Sequence, residues 1–391
     1  MEVKKQARIG IIGTGFIGHG LKIVIEQLPD MVVSSILTQR NLSDFPGEAV
    51  YTNSIQELID KSDIVVECNG EPIYATEVIS NVLDAGIPVA TMDAELQITS
   101  GTYLMRKGFI TEAEGDQPGM LAVLHRELVN VGFKPLVYGN LKGYLNHHPK
   151  LEDMQYWAKI QGISIEQVTE FTDGTKLQIE QALVANGLGA VIAKRGMHGF
   201  ESDNIKRDSE KLAEIAKEIG SPISDYLLRS PNANHYFPPG TFITAEYDPR
   251  LAGALKYLKL GDGPYYTLIK NYHLCQLEIP NTLRQVLRGE GPLLTNSLNP
   301  TASVCGIAKS VLEPGTRISQ EDRGFFIRGE AIGIKEMPTH VPIGLLGHIV
   351  LKRRVEPDQI IEFDDVELEE SLAYDAWHDT LDRILSSKTD Q

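Results

Sequence analysis

Cysteine is scarce, with only Cys68, Cys275 and Cys305 in a chain of 391 residues. Thiols so few and so scattered make neither a disulfide framework nor a zinc-ligand spacing, and they read as packed side chains of a protein kept in a reducing cytoplasm. Long apolar runs are missing too. The stretch after Met1-Glu2-Val3-Lys4-Lys5 is short and broken by glycine, so no secretory leader is expected there, and nothing approaches membrane-spanning length. Positive charge is in deficit: 37 Lys and Arg stand against 53 Asp and Glu, a formal net charge of -16. That balance argues against nucleic acid or an anionic membrane as the main partner, and an anionic substrate would need a local basic pocket. The one pair of adjacent histidines, His147-His148 ahead of Pro149, would point to opposite sides of an extended loop, which does not suit a metal.

What is present is ordinary for a globular chain of two or three domains, with 42% hydrophobic and 23% charged residues. The informative stretch is the first: Ala7-Arg8-Ile9-Gly10-Ile11-Ile12-Gly13-Thr14-Gly15-Phe16-Ile17-Gly18. An apolar run leads into Gly-x-Gly-x-x-Gly and then into Ile17, Leu21, Val24, Ile25 and Leu28 at helical spacing, which predicts strand, tight turn and helix. In a dinucleotide site the first glycine (Gly13) allows the turn, the second (Gly15) admits the pyrophosphate to backbone N–H groups, and the third (Gly18) lets helix and strand pack closely. The second strand, Met31 to Leu37, ends at Thr38-Gln39-Arg40 with no acid to hold a ribose hydroxyl. Arg40 can pair with a 2′-phosphate, so NADP is favoured, with NAD as the alternative.

Strands and helices then alternate: a helix at 54–60, a strand at 63–68, a helix at 73–85 and a strand at 88–91. This is the pattern of a parallel sheet covered on both faces, with its site beyond the strand C-termini, where Asn69 and Gly70 would rim it. A helix is predicted at 120–131, and a strand at 135–138 with Lys142 just past its end. An amphipathic helix over 151–166 marks a domain boundary. Thr172 or Asp173 would cap a helix running through Asn186, on which Asp173 and Lys176 would share a face. A lysine at a helix start is opposed by the macrodipole, so Lys176 points to function more than to stability. A helix is expected at 203–220, then a loop-rich stretch over 222–240 and strands at 242–247, 255–260 and 265–270, the last delivering Lys270, Tyr272 and His273. Leu312-Glu313-Pro314-Gly315, Ile318 and Glu321-Asp322 recur 43 residues later as Val355-Glu356-Pro357-Asp358, Ile361 and Asp364-Asp365, which predicts a β-rich module with internal symmetry. Ser371 would cap a terminal helix.

Four stretches together resemble one known group: the glycine turn, Glu114-Gly115-Asp116-Gln117-Pro118, Asp173-Gly174-Thr175-Lys176 with Glu180 and Asn186, and Tyr272-His273-Leu274 with Glu278 and Pro280. The chain resembles homoserine-dehydrogenase-like proteins carrying a C-terminal SAF domain, a group that includes reductoisomerase-like enzymes acting on 1-deoxy-D-xylulose 5-phosphate. It departs from that group between Lys142 and Phe171, and at Lys270 and Asn271, where an arginine and a proline are expected. The resemblance implies an α/β chain with an N-terminal Rossmann doubly wound sheet at 1–150, an α+β catalytic and dimerisation domain at 151–304 with strands returning to the first, and a SAF-like module with a terminal helix at 305–391. It implies a reductase, with Gly13, Thr14, Gly15, Phe16, Ile17, Gly18, Arg40, Asn69 and Gly70 on the cofactor. Lys176 would polarise or protonate the carbonyl, Asp173 would orient it with Asp116 nearby, and Lys142, Lys270, His273 and Gln117 would hold an anionic substrate. An isomerising step would call for a divalent metal, for which Glu114, Asp116 and Asp173 offer oxygen ligands. Aspartate semialdehyde reduction and a non-catalytic nucleotide- or carbohydrate-binding role stand as the other readings. The assembly expected is a homodimer or higher homo-oligomer.

Overall fold

In the computed structural model, which describes residues 6–233 and 236–386, the apolar runs of the N-terminal third become six parallel strands. These are β1 (Ala7–Ile12), β2 (Met31–Leu37), β3 (Tyr51–Thr52), β4 (Ile64–Glu67), β5 (Val89–Thr91) and β6 (Ile110–Glu112), in the order β3-β2-β1-β4-β5-β6. That order is the doubly wound one, reversing direction beside β1, and the expected α/β class is borne out. The crossovers run through α1 (Phe16–Glu26), α2 (Ile55–Lys61) and α3 (Pro72–Asp84), and through α4 (Ala94–Leu96), a π turn (Gln97–Gly101) and α5 (Thr102–Met105). Leu21 and Ile25 of α1 pack with Ile9 and Ile11 on one face of the sheet, and Val78, Ile79 and Val82 of α3 with Ile12 and Val65 on the other. Met1–Lys5, where the absence of a leader was expected, lies outside the described residues.

Contacts divide the chain into two compact units, and the boundaries differ from those expected. The first holds 1–119 together with 274–298 and 370–391, so what returns to it is helical (Ile279–Leu287 and Leu372–Ser386) and adds no strand to the sheet. Ile279 and Leu283 complete the core beside α1, and buried Trp377 lies on the terminal helix, which Asp379 ties to Arg106. Among the described residues no helix is long and apolar enough to cross a membrane.

The second unit holds 120–273 and 299–369, and β7 (Lys134–Lys142), expected in the first domain, is the middle strand of its sheet. With α6 (Gln117–Asn130) leading into it, the chain continues through α7 (Leu151–Gln161), α8 (Ile165–Asp173), α9 (Thr175–Leu188), β8 (Phe200–Ser202), α10 (Ile205–Ile219), β9 (Ile223–Arg229), β10 (Gly240–Glu246), α11 (Ala252–Tyr257) and β11 (Tyr265–Lys270). The sheet order is β11-β10-β7-β9-β8, with α9 on one face and α10 on the other. Three expectations are corrected here. The single helix over 151–166 is two, because Gly162 takes a left-handed turn (φ +70°) and Ser164 starts α8 with a capping box to Gln167. The strand expected over 255–260 is the end of α11 and the turn after it; Pro249 and the Asp248 cap on Arg250 start a 3-10 turn that runs into α11, which Ala252 and Ala254 favour. The loop-rich stretch hides β9, whose buried Ser224 and Asp225 break the apolar pattern of a strand; Gln181 of α9 satisfies Ser224, and the N–H groups of His198 and Gly199 satisfy Asp225.

The C-terminal strands are β12 (Ala302–Ala308), β13 (Arg317–Ile318), β14 (Ile327–Gly333), β15 (Ile349–Leu351) and β16 (Val366–Leu368). The repeat is visible in the backbone: Leu312 and Val355, 43 positions apart, exchange both hydrogen bonds with each other, at 2.9 and 3.0 Å. A residue that pairs with its own repeat-mate marks a local two-fold axis. Gly315 (φ +85°) and Asp358 (φ +64°) occupy the same left-handed turn in the two halves.

His340 is fully buried in this module, its Nε2 2.9 Å from Ser303 Oγ and its Nδ1 against the Met337 carbonyl. Burial pulls its pKa down from 6.5 to about 4, with the Met337 bond opposing. The neutral form is thus favoured on folding, and stability falls as the pH drops from the unfolded value toward the folded one. The wild-type unfolding free energy, less that of His340→Gln, should shrink by about 3 kcal/mol between neutral pH and pH ~4 in urea titrations. An unchanged difference would refute the assignment.

Candidate functional site

In the first unit, β1 delivers the glycine turn. Gly13 has φ +103°, and a Cβ there would stand 2.8 Å from the Cys68 carbonyl oxygen; at Gly18 it would stand 2.3 Å from the Gly13 oxygen. At Gly15 it would meet nothing within 4 Å. Two glycines therefore lock strand against helix, while the middle one leaves an open approach to the backbone. Helix α1 begins at Phe16 with no side-chain cap and no acid in its first turn, so its positive end is available to an anion. Thr14 and Ile17 continue this turn, and Thr14 Oγ1 lies 3.4 Å from Thr38 Oγ1. A small cavity beside it is walled by Gly13, Gly18, Ile36 and the stacked rings of Phe45 and Tyr51, whose centroids are 4.0 Å apart. Arg40 is exposed and has no ion pair among the described residues; Asn53 Nδ2 holds its turn by bonding the Thr38 and Arg40 carbonyls at 2.5 and 3.1 Å. An open glycine, an uncapped helix end and a free guanidinium past β2 fit a dinucleotide.

Sequence reasoning passed over Glu67, the buried last residue of β4. It accepts from the Thr91 hydroxyl at 2.6 Å and the Asn69 N–H at 2.5 Å, and so shapes the turn that carries Asn69 and the left-handed Gly70. Burial raises its pKa against those bonds. An acid closing an otherwise apolar strand was the available signal. Asp116 caps α6 by accepting the Gln117 N–H at 3.0 Å; Gly115 before it is pressed against the Cys275 backbone, where a Cβ would come within 2.1 Å of its carbonyl oxygen.

In the second unit the sheet register brings two lysines to one end, and a third stands on the helix that covers them. Asn140 and Lys142 alternate onto the same face of β7; Asn140 stands opposite Thr241, and Thr241 opposite Lys270. Lys142, Asn140 and Lys270 therefore share a face near the C-terminal ends of β7 and β11, roughly 10 Å apart across β10. That face is the one α9 covers, since Asn140 Nδ2 donates to Glu180 Oε2 at 3.1 Å. Lys176, one helical turn before Glu180, has its Nζ 3.9 Å from Glu180 Oε1. The Lys270 ammonium lies 5.4 Å from the Tyr272 ring centroid, and half-buried His273 follows.

Asp173 is not where the helical spacing put it. Gly174 (φ +90°) breaks the chain between α8 and α9, so Asp173 and Lys176 do not share a helix. Asp173 ends α8 and is not the cap of α9, which is Gly174; its carboxylate accepts the Thr175 N–H at 2.8 Å and is paired at 2.6 Å with Lys309, both fully buried. Burial lowers the Lys309 pKa, opposed by Asp173. A carboxylate committed in this way orients no substrate-binding lysine and is a poor metal ligand. Among the described residues no group of three His, Cys, Asp or Glu side chains is placed to hold a metal ion.

Residues 115–279 match the family model described as the catalytic domain of oxidoreductase DRL. The chain is an NAD(P)-dependent oxidoreductase. All the substrate-side residues expected from the sequence, from Asp116 and Gln117 to Lys270 and His273, lie inside the matched segment of this oxidoreductase. No curated protein matches it. Solved structures similar to it include a probable dehydrogenase from Thermotoga maritima (13% identity, 74% of this chain and 91% of that chain, TM-score 0.41). Others are UDP-N-acetylglucosamine 3-dehydrogenase from Acidithiobacillus ferrooxidans (10%, 75% and 92%, 0.41) and a dehydrogenase from Clostridium difficile (13%, 74% and 93%, 0.39). Likeness at this level carries no argument about substrate.

Proposed function

We propose that the oxidoreductase uses NADPH to reduce a small, anionic carbonyl compound, and that its substrate is 1-deoxy-D-xylulose 5-phosphate or a related sugar phosphate. The observation that carries this reading is that Lys142 and Lys270 share a face at one end of the sheet and Lys176 stands on the helix that covers that face, in a chain of net charge -16. Three lysines around that face suit a doubly charged anion better than the single carboxylate of aspartate semialdehyde. When bound, the nicotinamide supplies the hydride. Lys176 donates a hydrogen bond and then a proton to the carbonyl oxygen, while Lys142, Lys270, His273 and Gln117 hold the anionic end and Asp116 fixes the turn carrying Gln117. Arg40 takes the 2′-phosphate. The protein works as a homo-oligomer in the cytoplasm.

The test is an oxidation screen of NADPH and NADH against 1-deoxy-D-xylulose 5-phosphate, aspartate semialdehyde and short neutral sugars. Turnover confined to the phosphorylated ketone supports the reading, and turnover of the semialdehyde alone replaces it with the homoserine dehydrogenase one. In parallel, Arg40→Ala should weaken NADPH binding ~10- to 100-fold, the worth of a hydrogen bond to a charged group, and leave NADH unchanged. Equal wild-type affinity for the two nucleotides would remove Arg40 from the site.

A further inference from the structure

The position of Lys176 is electrostatically costly. It sits in the first turn of a 14-residue helix, at the positive end of the dipole, over the sheet face that carries Lys142 and Lys270. Like charges and a helix N-terminus both favour loss of its proton. Against them stands Glu180, whose side chain is 4% exposed and whose other oxygen is held by Asn140. A carboxylate so buried needs a cation, and Lys176 is placed one turn away to be one.

We propose that Glu180, oriented by Asn140 from β7, is the positioning residue for the Lys176 ammonium: it keeps that group protonated and directed at the lysine end of the sheet. Its meaning for catalysis rests on the reading of Lys176 as proton donor; the coupling itself does not. The other charged groups on elements packed against α9 have partners of their own. On α8, Asp173 is tied to Lys309 and Glu170 to Arg323. On β14, Glu330 is shared by Arg328 and Arg195. On β9, Asp225 is engaged by His198, Tyr226 has its pKa raised chiefly by burial, and Arg229 adds positive charge. Lys142 and Lys270 add more.

The experiment is competitive acetylation of the full-length apo protein with acetic anhydride from neutral to strongly alkaline pH, with the Lys176 peptide quantified by mass spectrometry. Lys107, in the other unit, serves as internal reference. In Glu180→Gln the labelling midpoint of Lys176 should fall by roughly 1–2 pH units, while Lys107 is unmoved. Asn140→Ala, which keeps the charge but frees it, should move the midpoint the same way by less. If Glu180→Gln does not fold, as judged by circular dichroism, Asn140→Ala decides. An unmoved Lys176 midpoint in the folded variant overturns the proposal. Turnover of Lys176→Ala tests the catalytic reading separately: full activity there would sink that reading and leave the coupling standing.

Discussion

Lys176→Ala should lose ~10²- to 10⁴-fold in kcat, the usual worth of a positioned proton donor, with NADPH affinity unchanged. The prediction follows from placement. Lys176 is only partly exposed, at 23%, and its charge opposes the dipole of the helix it starts, with Glu180 one turn on as its counter-charge. Removing Lys176 takes away the cation beside the buried Glu180 carboxylate and should cost some stability, so urea unfolding of the variant is measured alongside to separate chemical loss from unfolding. Steady-state turnover with the carbonyl found by the screen, together with fluorescence titration of NADPH, checks both halves. A variant retaining wild-type kcat would exclude Lys176 from proton transfer.

Lys309→Met should cost about 3–5 kcal/mol of unfolding free energy, because it strands the Asp173 carboxylate, whose side chain is fully enclosed. The Lys309 ammonium also donates to the Gly324 carbonyl, so its loss leaves two groups short of a partner. Adding Asp173→Asn should recover much of the loss, since the stranded charge and not the missing bridge carries most of it. Urea unfolding of the two single variants and the double variant measures this directly. A loss below ~1 kcal/mol for Lys309→Met would show that water reaches the pair.

The first half of the fold was legible because its signals are local. A glycine turn between an apolar run and a helical period needs no tertiary context, and the alternation that followed was read through to β5. The second unit was less so. Strand β9 carries Ser224 and Asp225 where an apolar pattern was sought, and their partners, Gln181 and the turn at His198 and Gly199, are 26 or more positions away. The candidate lysines were found from their places at strand and helix ends, but the partner of Lys176 was misread. Counting three residues along an assumed helix led to Asp173, although Gly174 is a residue that ends a helix in a left-handed turn, as Gly162 does. Lys309, 136 positions from Asp173, lay beyond any spacing argument.

Helix α9 explains why the C-terminal strands belong with the second unit. Gly329 N–H donates to Thr175, Ala331 N–H to Gln178, and Thr301 and Ala302 N–H groups to Asn186, while on its other side Gln181 grips Tyr138 and Asp225. It is a beam fixed along both flanks, with polar side chains serving as bolts where most buried helices use oil. A side chain mounted on such a beam keeps its aim through thermal motion, so conformational freedom falls to the strand tips and loops around it.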